Sequence, residues 1–457
     1  MGGKRQKNQL ELAFAYEKKG EARRLERKGT EPSLARYESE RLAESERLME
    51  AVCEAKNLKQ ALRRVKRNGG SPGIDGMTVE ELPRWLIENW SEIRDGLLTG
   101  RYRPAAVKRV EIEKPEGGTR KLGIPTVVDR FVQQAVSQVL QRIWEPTFSE
   151  SSYGFRPNRS GHGAVETAQR YIREGRRWVV DIDLEKFFDR VNHDRLMARV
   201  STKVRDKRML SLIRSILTSG VMEGGLVSPI DEGTPQGGPL SPLLSNIVLD
   251  ELDEELEKRG HAFVRYADDC NVYVRSERAA QRVMKSLREL ITRRLRLRIN
   301  EVKSTVARPH QRKFLGFSFT SERQARRRIA PKAMERFKAR IRELTQRRRG
   351  RSLQTVIAEL NVYLQGWRSY FGYCETPSVL QRLDGWIRRR LRCYLWKQWR
   401  KPRARRAALT RLGAARDLAR GFGSSSKGPW HMAGLLGDIL TPAYFDSLHL
   451  LRLHVTA

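Results

Sequence analysis

The stretch that decides the fold is His261-Ala-Phe-Val-Arg-Tyr-Ala-Asp-Asp-Cys-Asn-Val-Tyr-Val274. Its flanks are rich in β-branched and aromatic residues, which predicts a β-hairpin with Ala267-Asp268-Asp269 at the tip. Neighbouring carboxylates repel each other unless a cation or hydrogen-bond donors lie between them. Aspartate is also an ordinary turn residue, so this stretch by itself fits either a plain turn or part of a metal site.

A second acidic stretch favours the metal site. The sequence Arg177-Trp-Val-Val-Asp-Ile-Asp-Leu-Glu-Lys-Phe-Phe-Asp189 predicts an apolar strand that ends in acids and two aromatic residues. Asp181 and Asp183 are two positions apart, so they point to the same face of that strand. A carboxylate at its end, facing the hairpin pair, can hold two Mg²⁺ ions roughly 3.5–4 Å apart, as in-line phosphoryl transfer requires. Since oxygen ligands favour Mg²⁺ over softer metals, the two stretches together predict the palm of a nucleic-acid polymerase with Mg²⁺ as cofactor.

The overall charge indicates the class of partner. The chain of 457 residues has 90 Lys and Arg against 54 Asp and Glu, a formal net charge of +36. Such an excess favours a polyanion as partner. A membrane surface is disfavoured, because the sequence has neither a run of 18 apolar residues nor a signal peptide. The four cysteines form no CxxC pair, which argues against a zinc module or a disulfide framework. We therefore expect a soluble, cytosolic protein that binds nucleic acid.

The two acidic stretches also carry a family resemblance. Tyr266-Ala-Asp-Asp269, together with Asp183-Leu-Glu-Lys-Phe-Phe188, resembles the two catalytic blocks of reverse transcriptases, and more narrowly those of a bacterial group II intron reverse transcriptase/maturase. The resemblance implies an α+β fold: a right-hand polymerase, with fingers and an antiparallel palm sheet, followed by an α-helical thumb/maturase domain. The implied regions are a basic helical N-terminal extension (1–67), the fingers and palm (68–320), the thumb/maturase domain (321–406) and a basic C-terminal tail of the DNA-binding kind (407–457).

The same resemblance assigns roles in the catalytic centre. Spacing alone leaves Asp181 and Asp183 open as metal ligands, and the alignment of the block selects Asp183, which would act with Asp268 and Asp269. Leu184 would contribute its backbone carbonyl to the metal. Phe188 falls where reverse transcriptases place an aromatic ring under the sugar, which excludes a 2′-hydroxyl and favours deoxynucleotides.

Four further residues are expected to contact the incoming nucleotide. Lys114 and Arg120 flank a Pro115-Glu-Gly-Gly118 turn in a predicted basic hairpin, which suits a triphosphate, although a solvated basic hairpin is the alternative. By resemblance, Gln236 in Thr234-Pro-Gln-Gly-Gly-Pro-Leu-Ser-Pro242 lies beside the nucleotide and the template base. Glycines 237 and 238 would let the backbone approach a ligand closely. Lys303 resembles the lysine that approaches the triphosphate, where it could protonate pyrophosphate.

Basic residues elsewhere are candidate contacts to nucleic acid. Arg156 and Arg159 lie in a block, Ser152 to Ser160, that resembles part of the fingers, and they are expected to contact phosphates. A helix from about Ser378 has an apolar side and an arginine side, which suits packing on the polymerase and binding along RNA phosphates. Its candidate RNA contacts are Arg388, Arg389, Arg390 and Arg392. The N-terminal extension fits a solvated helical segment and an RNA-binding segment equally well.

The sequence thus predicts an RNA-directed DNA polymerase that copies its intron RNA and assists its splicing and mobility. Its partners would be intron RNA, a DNA target or primer and deoxynucleoside triphosphates, and it would act as a monomer or homodimer, associated with the bacterial nucleoid or the intron ribonucleoprotein. No cluster of paired cysteines and histidines indicates an endonuclease, which is typical of the endonuclease-less members. Two alternatives remain: a maturase that only assists splicing, and a domesticated reverse transcriptase in defence or repair.

Overall fold

The computed structural model describes residues 46–113, 118–223, 226–228, 232–234 and 237–454. The chain divides into two compact units. Unit 1 comprises Met1–Ser160 and Val180–Val306, and unit 2 comprises Gly161–Val179 and Ala307–Ala457. Among the described residues, none of the helices combines the length and the apolar composition that are needed to cross a bilayer.

Helices dominate the described part of the chain. They are α1 (Leu48–Cys53), α2 (Ala55–Asn68), α3 (Leu82–Leu98), α4 (Val127–Trp144), α5 (Gly161–Arg173), α6 (His193–Ser201), α7 (Lys207–Leu217), α8 (Ser241–Lys258), α9 (Glu277–Glu289), α10 (Pro331–Leu344), α11 (Leu353–Phe371), α12 (Pro377–Gln398), α13 (Pro402–Arg411), α14 (Arg416–Gly423), α15 (Pro429–Leu435) and α16 (Pro442–Ser447). The strands are β1 (Val107–Glu113), β2 (Thr119–Ile124), β3 (Trp178–Ile182), β4 (Val221–Glu223), β5 (Leu226–Ser228), β6 (Ala262–Tyr266), β7 (Asp269–Val274), β8 (Thr305–Ala307), β9 (Phe317–Phe319) and β10 (Arg327–Ile329).

A four-stranded sheet carries both acidic stretches. Its strand order is β6-β7-β3-β8. Strands β6 and β7 pair in antiparallel register, with Tyr266 opposite Asp269 and Ala262 opposite Tyr273. This pairing confirms the predicted hairpin. Because β3 lies beside β7, the end of the second acidic stretch is brought to the sheet that carries the Asp268-Asp269 tip.

Helix α4 is the buried centre of unit 1. Thr126 caps its N-terminus by accepting a hydrogen bond from the Asp129 amide. The burial of this helix is not confined to its apolar residues: 15 of its 18 residues are buried, including three glutamines. Gln138 illustrates how such polar groups are accommodated, since its amide nitrogen donates to the side chain of Asn57 on α2 at 2.8 Å.

A second sheet of unit 1 has the strand order β2-β1-β4-β5. Its β1–β2 pair is the basic hairpin predicted from the sequence, with Lys108 opposite Ile124 and Glu113 opposite Thr119. The turn residues 114–117, and with them Lys114, lie outside the described residues. Gln236 also lies outside them.

Unit 2 is built from helices around one continuous apolar cluster. Helix α11 supplies Leu360, Leu364 and Trp367 to this cluster, and the predicted apolar side of α12 supplies Leu383 and Leu391. The cluster continues into the last helices through Leu409, Met432 and Phe445. Residues 407–454, predicted as a basic tail, therefore pack within unit 2, and leucine is their commonest residue. Helix α5, placed with the palm by the sequence, also belongs to unit 2.

Candidate active site

The hairpin tip holds Asp268 in a constrained turn. Ala267 has a φ of 55°, in the left-handed region that residues with a side chain rarely adopt. Asp268 is half-buried and Asp269 is exposed. Burial raises the pKa of the Asp268 carboxyl, the negative charge of Asp183 raises it further, and the positive charges of Arg120 and Arg265 act in the opposite direction. The two acidic stretches are therefore close enough for their carboxylates to interact.

Asp183 is held at the end of β3 by residues 298–304. Its backbone amide donates to Ser304 Oγ at 2.9 Å, and its carbonyl accepts from the Asn300 amide at 2.9 Å. The Lys303 ammonium lies 3.7 Å from Asp183 Oδ2. Sequence reasoning missed Ser304, which binds the backbone of Asp183 from more than a hundred residues away; its place directly after Lys303 is the only local signal.

Asp181 faces a different environment from Asp183. Its charge contributes, after the dominant effect of burial, to the raised pKa values of Cys270 and Tyr273 on β7. The charge of Asp183 acts on Asp268 at the tip. The choice of Asp183 over Asp181, made from the family block, stays a prediction. Leu184 is buried and forms an isolated antiparallel bridge with Ile299.

The carboxylates fit a divalent cation in their chemistry. Among the described residues, no three His, Cys, Asp or Glu side chains are already arranged to hold a metal ion. Asp183 and Asp268 nevertheless repel each other, and a cation between them would relieve that repulsion. Their hard oxygen atoms suit a cation of the Mg²⁺ type.

Phe188 lies in a short turn of 3₁₀ helix, Phe187–Asp189, directly after the acids. Phe187 is buried, whereas Phe188 is half-exposed and contacts it edge to face, with ring centroids 5.3 Å apart. The Thr234 amide donates to the Phe188 carbonyl at 2.6 Å. A Cβ on Gly233 would lie 2.8 Å from that same carbonyl oxygen, so a glycine is required for this contact. The segment that begins at Thr234, in which Gln236 is predicted to contact the nucleotide, is thus anchored to Phe188 through the Thr234 amide.

The glycine pair after Gln236 serves packing within the protein. A Cβ on Gly237, which has a φ of 131°, would lie 2.6 Å from the carbonyl oxygen of Gly123 at the end of β2. A Cβ on Gly238 would lie 2.3 Å from the side-chain oxygen of Gln133 on α4. The sequence led us to expect close approach to a ligand. A side chain at either position would collide with β2 or α4, and close approach to a ligand stays a prediction.

Two arginines of the fingers block differ in their surroundings. Arg156 is buried: it pairs with Glu145 at 2.9 Å, donates to the Ser152 carbonyl at 2.9 Å and lies over the Phe148 ring. This corrects the expectation that Arg156 contacts phosphate, because its donors are used inside unit 1. Arg159 is nearer the surface and pairs with Glu150, which raises the pKa of Arg159.

Three of the four α12 arginines that were predicted to bind RNA make hydrogen bonds within unit 2. Arg389 donates to the Trp430 carbonyl at 3.1 Å, Arg390 donates to Thr345 Oγ1 at 2.7 Å, and Arg392 donates to the Leu440 carbonyl at 2.9 Å. Burial lowers the pKa values of Arg390 and Arg392. Arg388 is half-exposed, and its charge helps to lower the pKa of Asp446. The arginine side predicted for RNA is therefore largely committed to internal contacts of unit 2.

Comparisons with known proteins bear on both units. Residues 112–319 match the family described as reverse transcriptase (RNA-dependent DNA polymerase), and residues 334–413 match the maturase-specific domain of group II introns. Protein YkfC of Escherichia coli is 33% identical over 323 residues, which cover 62% of this chain and 84% of that protein. The group II intron-encoded protein LtrA of Lactococcus lactis is 42% identical over 168 residues, which cover 36% of this chain and 28% of LtrA.

Among solved structures, a telomerase from Candida albicans overlaps 79% of this chain and 68% of its own, at 12% identity and a TM-score of 0.42. A structural similarity with so low a TM-score adds nothing to the two family matches.

Proposed function

Because the chain belongs to the group II intron reverse transcriptase/maturase family, we propose that it copies intron RNA into DNA with Asp183, Asp268 and Asp269 as its catalytic carboxylates. The chain is an RNA-directed DNA polymerase with a maturase domain, and its partners are RNA and DNA. Reverse transcriptases use divalent metal ions. The finer proposal is two Mg²⁺ ions, held by these three carboxylates and the Leu184 carbonyl.

One observation supports this proposal above the others: Asp183 directly follows β3, Asp268 directly precedes β7, and β3 and β7 are neighbours in one sheet. The two acids come from stretches more than eighty residues apart, and they meet on one sheet. Repulsion between carboxylates is unfavourable in the absence of a cation, so their proximity needs a reason. Binding of catalytic cations supplies that reason.

The neighbouring residues can be given roles in nucleotide addition. When bound, the metal ions would activate a primer 3′-hydroxyl and stabilise the pyrophosphate leaving group. Lys303 lies 3.7 Å from Asp183 and is suited to neutralise or protonate that leaving group. Arg120, whose charge acts on Asp268, is suited to a triphosphate contact. Phe188 would exclude a 2′-hydroxyl, and Lys114 and Gln236 are further proposed nucleotide contacts.

Intron RNA, a DNA target or primer and deoxynucleoside triphosphates are the proposed partners of the full activity. We further propose that unit 2, which contains the maturase-specific match, binds the intron RNA and assists splicing. Action in the bacterial cytoplasm, associated with the nucleoid or the ribonucleoprotein, is part of the same proposal.

The decisive experiment measures dTTP incorporation on a polyriboadenylate template with an oligodeoxythymidylate primer and Mg²⁺. We expect wild-type protein to extend the primer, and Asp268→Asn to lose about 10²–10³-fold in kcat, the loss typical of one preorganised electrostatic contact. Asp194→Asn, an exposed acid on α6, is the matched control and should keep wild-type activity. Near-normal extension by Asp268→Asn would contradict the assignment. If folded wild-type protein binds RNA but extends no primer, a maturase that only assists splicing becomes the better proposal.

A further inference from the structure

A fully buried ion pair lies directly behind the hairpin tip. Arg265 on β6 and Asp253 on α8 both have side chains with no exposed surface. Arg265 Nε donates to Asp253 Oδ1 at 2.8 Å, and Nη2 donates to Asp253 Oδ2 at 2.5 Å. Burial works against the charge on the guanidinium, but the neighbouring carboxylate more than offsets it and raises the pKa of Arg265. Arg265 is thus a charged group in the interior, three residues before Asp268.

The other donors of Arg265 enclose the tip. Nη1 donates to the Ala267 carbonyl at 3.0 Å and to the side-chain oxygen of Asn246 at 2.9 Å. The Asn246 side chain in turn donates to the Gly154 carbonyl at 2.8 Å. Gly154 also lies against Ala267, because a Cβ on Gly154 would be only 2.2 Å from the Ala267 nitrogen. Arg265, Asn246, Gly154 and Ala267 thus form a ring of contacts. Arg265 therefore binds the Ala267 carbonyl, and the absence of a side chain at Gly154 leaves room for the Ala267 amide.

The backbone of Arg265 is fixed as firmly as its side chain. Its amide donates to the Ser151 carbonyl at 2.9 Å, and its carbonyl accepts from the Tyr153 amide at 2.8 Å. The ring of contacts therefore rests on three parts of unit 1: residues 151–154, helix α8 and strand β6. It stabilises the left-handed φ of 55° at Ala267, which is unfavourable for a residue with a side chain and which sets the direction of the following Asp268.

We propose that Arg265, Asp253 and Asn246 are positioning residues that hold Asp268 and Asp269 where they can share a divalent cation with Asp183. This inference rests on the proposed metal site. Stability alone is a poor reason for such a pair, because a buried ion pair can often be replaced by apolar residues of similar size with little loss of stability. A requirement for a defined tip geometry explains both the charge and its additional contacts to Ala267 and Asn246.

The test compares two double variants that each remove an ion pair of α8. Asp253→Leu/Arg265→Met removes the pair behind the tip. Arg195→Met/Glu251→Leu, the control, removes the pair between Arg195 on α6 and Glu251 on α8, whose charged groups lie 3.0 Å apart. Folding is checked by circular dichroism and thermal unfolding. Binding of Mn²⁺ is measured by the electron paramagnetic resonance of the free ion, and kcat and KM for dTTP are measured by primer extension.

We expect the Arg265 double variant to fold but to lose roughly 10–100-fold in Mn²⁺ affinity or kcat, the usual effect of removing support from metal ligands, with KM for dTTP changed less than about threefold. The control should keep wild-type values. A folded Arg265 double variant with both values within about twofold of the control would overturn the proposal.

If that double variant does not fold, Asn246→Ala decides the question with the same measurements. It removes the bridge from Arg265 to Gly154 and leaves the ion pair intact. Wild-type Mn²⁺ affinity and kcat in folded Asn246→Ala would then overturn the proposal. Failure of the proposed function has a different signature, since wild-type protein would then extend no primer while the Mn²⁺ comparison between variants could still be made.

Discussion

The acids at the hairpin tip and the arginines of α12 carry the same kind of sequence signal, a dense group of like charges, and the structure treats them in opposite ways. At the tip, surrounding residues bind the backbone of Asp183 and Ala267 and leave two carboxylates acting on each other. On α12, the guanidinium groups of Arg389, Arg390 and Arg392 themselves bind carbonyl and hydroxyl oxygens of neighbouring segments. A cluster of like charges therefore indicates a functional site when neighbouring residues bind only the backbone and the charged groups still repel each other. It indicates a structural role when the charged groups themselves are bound within the protein.

The first test of this comparison neutralises two acids in turn: Asp183, which directly follows β3, and Asp181, which lies within β3. Asp183→Asn should lose about 10²–10³-fold in kcat, because it removes a charge that acts at the tip. Asp181→Asn is the matched variant, because it makes the same change two residues earlier in the chain, within β3. It should change kcat far less, since the charge of Asp181 acts on Cys270 and Tyr273. The measurement is kcat for primer extension with Mg²⁺. Equal losses of kcat in the two variants would show that proximity to the hairpin tip does not determine which acid is catalytic.

The second test concerns the sugar. Phe188→Ala should raise incorporation of UTP relative to dTTP by roughly 10–200-fold, the range over which emptying part of a pocket changes discrimination. Phe187→Ala is the matched control on the neighbouring ring, which is buried, so it should cost about 3–5 kcal/mol of stability and leave the preference for deoxynucleotides unchanged. The ratio of kcat/KM for the two nucleotides is the measurement. An unchanged ratio in Phe188→Ala would remove Phe188 from the nucleotide site.

Local patterns were sufficient for the elements that carry the site. Flanks rich in β-branched and aromatic residues predicted the β6–β7 hairpin, and the register of the two strands confirms it. The choice of Asp183 over Asp181 came from the order of residues in a family block and stays a prediction. The α+β fold expected from that family is confirmed by the match over residues 112–319.

Contacts between distant segments could not be predicted in this way. Arg156 looked like a surface cation, but Glu145 and the Ser152 carbonyl bind it inside unit 1. Gly237 looked like a ligand contact, and it packs on Gly123, more than a hundred residues away. Arg265 follows Phe263 and Val264 in the sequence. A charged residue in a buried strand rarely lacks a partner, so the sequence indicated that Arg265 is paired with an acid. Its partner on α8 could not be identified without the fold.

The smallest expected effect separates two arginines of α12. Arg388→Gln should weaken binding of the intron RNA and reduce its salt slope by about 1, because Arg388 is half-exposed and makes no described hydrogen bond that the change would break. Arg392→Gln should instead lower the thermal midpoint, because it loses the hydrogen bonds to the carbonyls of Leu440 and Ala433. Affinity across a salt series and thermal unfolding, measured on both variants, distinguish the roles. If Arg392→Gln lowers the salt slope as much as Arg388→Gln does, with an unchanged thermal midpoint, then the arginines of α12 act together as an RNA-binding face and the contrast with the hairpin tip fails.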